Sequence, residues 1–346
     1  MNGSLAPHSE EELDALLSTP REATIAALAR VPGDIVVLGA GGKMGPTLAR
    51  MAARARDRAD SGTRRRIIAV SRFSAIGSEP FLHRAGVETI RCDLLDRDAV
   101  ARLPDAPNVV FMAGQKFGTH DAPSRTWMMN VVAPAICAER YAGARTIVFS
   151  TGNVYPLTPA GAGGAHETDP VAPIGEYAQT CVGRERVFEH FAATRDTRVA
   201  IMRLNYAIAL RYGVLTDLAL KVAYGHAIPL AMGHVNVIWQ GDANRAALEL
   251  LPHASNPPLV VNVSGPATLK VRELAVALGA RLGREPSFDG TEAPSALLSE
   301  TAKMRALLGN PDVDLDTMLD WTADWVKRER PLLGSATHFE SRDGQF

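Results

Sequence analysis

Short apolar runs alternate with segments of helical periodicity along the first two thirds of the chain. The run at Ile35–Leu38 is uninterrupted and lies between glycines, which is typical of a strand buried on both faces. Similar runs lie at Ile67–Val70, Val109–Met112, Thr146–Phe149 and Val199–Met202. Apolar residues recur at helical spacing in Met44–Ala55, Asp96–Leu103, Ser124–Tyr141 and Tyr177–Ala193. This repeated strand–helix–strand order predicts an α/β fold with a doubly wound parallel sheet.

The pattern changes on both sides of this core. A capping box and apolar residues at helical spacing indicate that residues 1–32 form an N-terminal helical extension. Residues 206–346 lose the alternation, and we interpret them mainly as a smaller lobe with a polar C-terminal tail. We expect the tail from Gly334 to Phe346 to be loose or lent to a partner subunit. Strand candidates near residues 235–239 and 259–263 are expected to rejoin the sheet.

The composition of the chain argues against several classes of function. The 346 residues are 46% hydrophobic and 22% charged, as in an ordinary globular protein. The formal net charge of −1 argues against binding to nucleic acid or to a membrane surface, because both need a concentrated positive field. No metal site is predicted, since the nine histidines and three cysteines show no ligand spacing. The N-terminal segment is acidic and unlike a signal peptide, so we interpret the protein as cytoplasmic.

A glycine-rich loop follows the first predicted strand and precedes a helix. Gly39, Gly42 and Gly45 fit the spacing GxxGxxG. Residues without a Cβ let the backbone approach a pyrophosphate, whose charge meets the N–H groups of the helix N-terminus. A tight turn without a ligand needs the same glycines, but the strand–loop–helix context favours a dinucleotide. We therefore interpret residues 33–205 as a dinucleotide-binding domain of the Rossmann type.

The residues after the second predicted strand bear on the choice between NAD and NADP. A carboxylate at this position would bind the ribose 2′-hydroxyl of NAD. The chain has Ser71 and Arg72 instead, and an arginine pairs with a 2′-phosphate and stacks on adenine. We expect NADP or NAD, with NADP favoured. An arginine that only faces solvent is the alternative interpretation.

Ordered motifs along residues 33–263 resemble the extended short-chain dehydrogenase/reductase family, the NAD-dependent epimerases and dehydratases. These motifs are GAGGKMG at 39–45, Asp93–Leu94, Ala113–Gly114, Ser150–Tyr155, Pro173–Tyr177 and Arg203–Asn205. The resemblance implies that Asp93 and Leu94 hold the adenine. It also implies that Ala113 and Gly114 line the ribose and pyrophosphate, with Lys116 reaching toward the ribose. The full predicted cofactor site is Gly39, Gly42, Lys43, Met44, Gly45, Ser71, Arg72, Asp93, Leu94, Ala113, Gly114, Lys116 and Ser150.

The same resemblance implies an acid/base pair. Thr151 would hydrogen-bond the reacting oxygen, and Tyr177 would give or take its proton as hydride moves. The family's Tyr-x-x-x-Lys motif departs here, because its lysine position is Cys181, which cannot lower the tyrosine pKa as a cation. We hypothesise that Arg184, on the helical face of Tyr177, or Lys116 takes over that role. The alternatives are a slow or silent enzyme and a reaction that tolerates a less acidic tyrosine.

The substrate is expected to be small. Nucleotide-sugar members of the family usually carry an arginine shortly before a strand-end aspartate, and residues 233–240, which precede Asp242, contain none. Asn205 matches a family asparagine that contacts the substrate. We expect a free sugar, a sugar acid or a related hydroxy compound. The predicted substrate-binding residues are Asn153, Asn205, His234 and Trp239.

These motifs together predict an NAD(P)-dependent oxidoreductase or epimerase that moves hydride at a carbinol or carbonyl carbon. A nucleotide-sugar epimerase or dehydratase is one alternative, and a cofactor-sensing binding protein with little turnover is another. The helical segment Ser124–Tyr141 has an apolar face compatible with a homodimer, formed by Trp127, Met128, Val131 and Val132. Pro134 is expected to kink this helix.

Overall fold

Seven parallel strands form one central sheet in the computed structural model, which describes residues 6–59, 65–74, 77–119 and 121–345. The strands are β1 (Ile35–Leu38), β2 (Ile67–Ser71), β3 (Glu88–Arg91), β4 (Asn108–Phe111), β5 (Arg145–Thr151), β6 (Arg198–Leu204) and β7 (Leu259–Val263). Their spatial order is β7-β6-β5-β4-β1-β2-β3. From β1 the chain adds β2 and β3 on one side and then β4 to β7 on the other, so the strand order changes direction between β1 and β4. Ligands of open α/β sheets bind outside the carboxyl ends of the strands at such a reversal. The predicted fold class is confirmed.

Helices cover both faces of the sheet and build the lobe. Those before β5 are α1 (Glu10–Leu17), α2 (Glu22–Ala29), α3 (Gly45–Arg58), α4 (Ser78–Arg84), α5 (Arg97–Ala101), α6 (Pro123–Trp127) and α7 (Ala133–Arg140). Those after β5 are α8 (Gly175–Arg195), α9 (Val214–Tyr224), α10 (Gln240–Glu249), α11 (Val271–Leu282), α12 (Ala302–Leu308) and α13 (Leu315–Lys327). Within the described ranges, none of these helices has the length and apolar character needed to cross a membrane.

Successive residues of each central strand face two separate apolar layers. Ile35 and Val37 of β1 belong to the layer that includes α3, whereas Val36 and Leu38 belong to the layer that includes Phe188 of α8. All four β1 side chains are fully buried. Burial on both faces explains why the central strands are uninterrupted apolar runs in the sequence.

The lobe has a core of its own. Helices α9, α11 and α13 enclose Trp239, Trp321 and Trp325, and Leu13 and Leu17 of α1 belong to the same cluster. The N-terminal extension therefore packs against the lobe. Its second helix also contributes to the layer beneath the sheet, so the extension connects the two cores.

The segment 235–239 does not rejoin the sheet, contrary to our expectation. Its first part pairs antiparallel with residues 269–270, and its second part pairs in parallel with residues 207–208, both outside the seven-stranded sheet. Asn236 interrupts the strand, because its side chain donates to the Ala267 carbonyl at 3.2 Å and accepts from the Ser299 N–H at 2.8 Å. Residues 259–263, in contrast, form β7 at the edge of the sheet beside β6.

The C-terminal tail packs on its own chain, so the expectation that it is loose was wrong. We call residues 331–345 the C-terminal strap. The Leu333 N–H donates to the Arg211 carbonyl at 3.0 Å, and Arg342 donates to the Ser295 carbonyl at 2.6 Å. Between these anchors, Phe339 lies in the lobe core with 1% of its surface exposed. An apolar side chain and several backbone acceptors thus hold a segment that reads as polar in the sequence.

Candidate active site

A cavity of about 410 Å³ opens at the carboxyl edge of the sheet, where strand ends, lobe and strap meet. The predicted site residues that line it are Gly39, Gly42, Lys43, Met44, Gly114, Lys116, Ser150, Thr151, Asn153, Tyr177, Arg184 and Asn205. The lobe adds Tyr206, Tyr212 and Val214, and the strap adds Leu333, Ser335 and Thr337. One cavity therefore joins the glycine loop to the predicted acid/base residues.

The three glycines of the loop have different reasons to be glycine. Gly39 has a φ of +89°, and a Cβ there would lie 2.5 Å from the backbone nitrogen of Ala113 in the loop after β4. A Cβ on Gly45 would lie 2.4 Å from the Ala40 carbonyl oxygen, so α3 packs tightly on the loop. At Gly42 a Cβ would meet only the Gly39 carbonyl oxygen at 3.5 Å, an ordinary contact. No protein atom requires Gly42 to be glycine, and the open space beside it fits a ligand backbone such as a pyrophosphate.

The predicted adenine residues lie outside the cavity, at the ends of β2 and β3. Arg72 is exposed directly after β2, and Ser71 faces Gly41, since a Cβ on Gly41 would lie 2.6 Å from the Ser71 hydroxyl. Asp93 is exposed after β3 and accepts a hydrogen bond from the Leu95 N–H at 3.0 Å. Leu94 is buried in the apolar layer below. β2 lies next to β1 and β3 lies next to β2, so the four residues continue the line of the glycine loop along the sheet edge.

Thr151 and Tyr177 are brought together at the cavity wall. Thr151 is the last residue of β5, and Tyr177 lies in the first turn of α8. The Thr151 hydroxyl hydrogen-bonds the Tyr177 phenol, which in turn hydrogen-bonds the Cys181 thiol. Burial and the Cys181 thiol raise the pKa of Tyr177 far above its usual value, whereas the Thr151 hydroxyl and the positive charge of Arg184 act in the opposite direction.

Arg184 forms part of the cavity floor two turns after Tyr177, with 5% of its surface exposed. Its guanidinium donates to the Phe149 carbonyl at 2.8 Å through Nη1 and to the Asn130 amide oxygen at 2.9 Å through Nη2. In the part of the chain that the structure describes, its buried Nε has no hydrogen-bond partner. A Cβ on Gly114 would lie 2.5 Å from Nη2 and 3.0 Å from the Asn130 amide oxygen, so a larger residue there would require the guanidinium to shift.

Asn130 is a site residue that the sequence analysis missed. Its fully buried amide accepts from the Gln115 N–H at 2.8 Å and donates to the Gln115 carbonyl at 2.9 Å and to the Thr180 hydroxyl at 2.9 Å. It therefore fixes the loop after β4 and the guanidinium of Arg184 together. The sequence signal for an irregular helix at Asn130 was Pro134, because a proline cannot donate to the carbonyl four residues earlier. The predicted kink is a π-helical segment, Met128–Val132, between α6 and α7.

Two lysines face the cavity from different elements. The Lys43 ammonium lies 3.6 Å from the centroid of the Tyr212 ring, and the Lys116 ammonium donates to the Thr337 carbonyl at 3.2 Å. Enclosure in the cavity lowers the pKa of both lysines, and the charge of Lys116 lowers the pKa of Lys43 further.

Polar residues behind the strand ends fix the rest of the wall. The Ser150 hydroxyl donates to Glu185 at 2.5 Å, and Glu185 forms a buried ion pair with Arg203 at 2.7 Å. The Asn153 amide donates to the Thr151 hydroxyl oxygen at 2.9 Å, and the Asn205 amide donates to the Leu297 carbonyl at 3.3 Å. Both asparagines also line the cavity, so they lie where the substrate-binding role was predicted.

His234 and Trp239 do not line the cavity, and their predicted substrate role is not supported. Trp239 is 1% exposed in the lobe core, with its ring centroid 5.2 Å from that of Trp321. His234 lies in the short antiparallel pair opposite Lys270. The apolar neighbours of Trp239 in the sequence are a signal for this core position, because a side chain in such a run packs more often than it binds.

Comparison with known proteins adds independent information. The model of the NAD dependent epimerase/dehydratase family matches residues 35–263. The UDP-glucose 4-epimerase of Thermotoga maritima, solved with UDP-glucose, is 20% identical with a TM-score of 0.69, over 86% of this chain and 99% of that one. The Thermus thermophilus UDP-glucose 4-epimerase in complex with NAD is 19% identical with a TM-score of 0.70, over 85% and 99%. The UDP-Glc/GlcNAc 4-epimerase of Campylobacter jejuni is 23% identical with a TM-score of 0.69, over 86% and 100%.

A search of curated proteins found no match. At these identities the solved structures are similar to this chain in fold, while the family match covers more than half of its length. The strand order, the glycine loop and the Thr151–Tyr177 pair agree with that match. The chain therefore belongs to the NAD-dependent epimerase/dehydratase family.

Proposed function

We propose that the protein is an NAD(P)-dependent oxidoreductase or epimerase that moves hydride at a carbinol or carbonyl carbon of a small sugar-like compound. One observation carries the proposal: the hydrogen-bonded Thr151 and Tyr177 face the same cavity as the glycine loop. A phenol beside a nicotinamide site can give a proton to a carbonyl oxygen as hydride arrives, or remove one from an alcohol as hydride leaves.

The chain offers a continuous cofactor site. In our proposal the loop Gly39–Gly45 and the first turn of α3 hold the pyrophosphate, while Asp93 and Leu94 hold the adenine. Gly114 and Lys116 face the nicotinamide ribose, together with Ala113, Met44 and Ser150. When bound, the nicotinamide ring supplies the hydride acceptor and donor. Exposed Arg72 would pair with a 2′-phosphate, which favours NADP, whereas the family description favours NAD.

We further propose that Arg184 replaces the absent lysine of the Tyr-x-x-x-Lys motif. Its positive charge favours the ionised form of Tyr177, and its unpaired Nε can donate to a ribose hydroxyl. Lys116 is the weaker candidate, since its charge acts on Cys181 and its ammonium already donates to the strap. Cys181 is a buried thiol with a raised pKa, which argues against a nucleophilic role.

The proposed substrate is a free sugar, a sugar acid or a related hydroxy compound, contacted by Asn153 and Asn205. The strap supports a small substrate, because Leu333, Ser335 and Thr337 occupy the lobe side of the cavity. We also propose a homodimer in the cytoplasm. Trp127 and Met128 are 42% and 43% exposed on the predicted dimer face, and the three cysteines are free, as expected in a reducing compartment.

Cofactor binding and turnover are to be measured separately. We expect the protein to bind NAD or NADP in a fluorescence titration and to convert at least one member of a panel of sugars and sugar acids. Because epimerisation regenerates its cofactor, products of deuterium-labelled substrates are examined by NMR as well as by nicotinamide absorbance. Tyr177→Phe should keep cofactor affinity and lose turnover. Binding without turnover across the panel would favour the cofactor-sensing alternative, and turnover of UDP-sugars alone would favour the nucleotide-sugar alternative.

A further inference from the structure

We infer that the substrate carries an anionic group, a carboxylate or a phosphate, which is bound between Lys43 and Lys116 beneath the C-terminal strap. This inference rests on the proposed function, since it names the chemical class of substrate for the same cavity. It distinguishes charged from neutral sugars, which the family membership leaves open.

The Lys43 ammonium lies against a ring of the lobe rather than beside the backbone of its own loop. Its backbone belongs to the glycine loop, but its ammonium reaches Tyr212, a lobe residue between the 207–208 strand and α9. An ammonium 3.6 Å from a ring centroid is held by the negative face of the ring. Among the described residues, Lys43 forms no ion pair within 4.0 Å. A cation is thus held on the lobe side of the cavity, and no carboxylate of the described residues is in ion-pair contact with it.

Lys116 approaches the same space from the loop after β4. Asn130 fixes that loop through both backbone groups of Gln115, and the Lys116 ammonium donates to the Thr337 carbonyl of the strap. The two lysines repel each other, because each charge is enclosed by protein and lies within the field of the other. Like charges held near each other in one cavity are stabilised when an anion binds between them.

The acidic group that faces the lysines is already engaged. Asp217 of α9 accepts from the Thr337 N–H at 2.8 Å and from the Thr337 hydroxyl at 2.6 Å, and these bonds hold the strap over the cavity. Arg211 also contributes to the field at Lys43, but it is paired with Glu10 and Asp14 of α1. The neutral donors of Thr337 leave the charge of Asp217 in place, but it is one negative charge against the positive charges of Lys43, Lys116 and Arg184, so the field in the cavity is positive. Compact lysine ammonium groups suit a single carboxylate or phosphate group.

The test measures ligand binding by thermal shift and calorimetry with D-glucuronate, glucose 6-phosphate and neutral glucose as probes. Each probe is added with and without a saturating nicotinamide cofactor. We expect glucuronate or glucose 6-phosphate to bind at least about tenfold more tightly than glucose. Whichever anion binds identifies the carboxylate or the phosphate as the recognised group. Equal binding of all three probes would overturn the inference.

Two variants separate the anion site from the cofactor site. Lys43→Gln should weaken anion binding about 10- to 100-fold while cofactor affinity changes less than about threefold. Lys270→Gln, an exposed lysine of the lobe, is the matched control and should change neither. If Lys43→Gln weakens cofactor binding and leaves anion binding intact, Lys43 serves the pyrophosphate and the inference fails. If the protein binds no nicotinamide cofactor yet shows Lys43-dependent anion binding, the proposed function fails and the anion site stands.

Discussion

Removal of the Arg184 guanidinium is the most direct test of how the site works without the family lysine. Arg184→Met keeps a long apolar side chain but removes the buried charge beside Tyr177. Because that charge favours the phenolate, its loss raises the pKa of Tyr177 further. The rate of alcohol oxidation, which needs the phenolate as base, should fall at neutral pH and recover only at higher pH.

The contacts of Arg184 determine the expected changes in the pKa of Tyr177 and in the free energy of unfolding. A cation within a few ångströms of an acid typically lowers its pKa by about 1 to 3. Its loss therefore corresponds to about 10- to 1000-fold less phenolate at a given pH below the pKa. The bonds to the Phe149 carbonyl and the Asn130 amide, at 2.8 and 2.9 Å, are charge-assisted and contribute about 1.5 to 3 kcal/mol each. Removal of a buried charge without an ion-pair partner offsets part of this loss.

The assay is the pH dependence of the oxidation rate together with urea unfolding. Arg184→Met should shift the rising limb of the pH–rate profile to higher pH and lower the free energy of unfolding. Arg184→Lys should reverse part of the shift in pH. The matched control is Arg186→Met on the same helix, where the arginine is exposed and pairs with Glu189. If Arg184→Met is destabilised but keeps the parent pH profile and cofactor affinity, Arg184 is only a structural residue and our reasoning is refuted.

Three further predictions concern other parts of the molecule. Gly42→Ala should keep the thermal midpoint and weaken cofactor binding about tenfold. Gly45→Ala should lower the midpoint, because its Cβ would lie 2.4 Å from a backbone oxygen. If the two variants change the midpoint and the cofactor affinity equally, this prediction is wrong. Trp239→Ala should cost about 3 to 5 kcal/mol in urea unfolding without a change in the cofactor affinity of the folded protein, and a selective loss of substrate binding would contradict its assignment to the core. Met128→Glu should convert a dimer into a monomer in sedimentation velocity, with exposed Tyr224→Glu as control; an unchanged mass would exclude this face as the interface.

The central fold was predictable because strands that are buried on both faces have a simple apolar pattern in the sequence. The strands β1, β2, β4, β5 and β6 lie inside the sheet and appear in the sequence as uninterrupted apolar runs. The edge strand β3, Glu88–Arg91, begins and ends with exposed charged residues and produces no such run. The 235–239 segment is apolar enough to be a sheet strand, but the two side-chain hydrogen bonds of Asn236 divide it. That division depends on partners 31 and 63 residues away, which no local pattern contains.

The candidate site was predictable where its residues follow strand ends. Parallel strands bring their carboxyl ends to one edge, so the motifs after β1, β4, β5 and β6 meet in the cavity. The strap could not be predicted, because Thr337 reaches the cavity only through its contacts with Asp217 and Lys116. Asn130 was missed for a related reason, since Pro134 indicates a kink in the helix but not that the Asn130 amide binds Gln115 and Arg184.

The replacement of the family lysine involves more than one position. A lysine at position 181 would lie one turn after Tyr177, whereas Arg184 lies two turns after it and needs support from three other elements. Gly114 supplies the space, while Asn130 and the Phe149 carbonyl supply the acceptors. The Cys181 thiol meanwhile hydrogen-bonds the Tyr177 phenol and favours its neutral form. Near neutral pH the Tyr177 phenol is therefore neutral, which is the form that can give a proton to a carbonyl oxygen as hydride arrives.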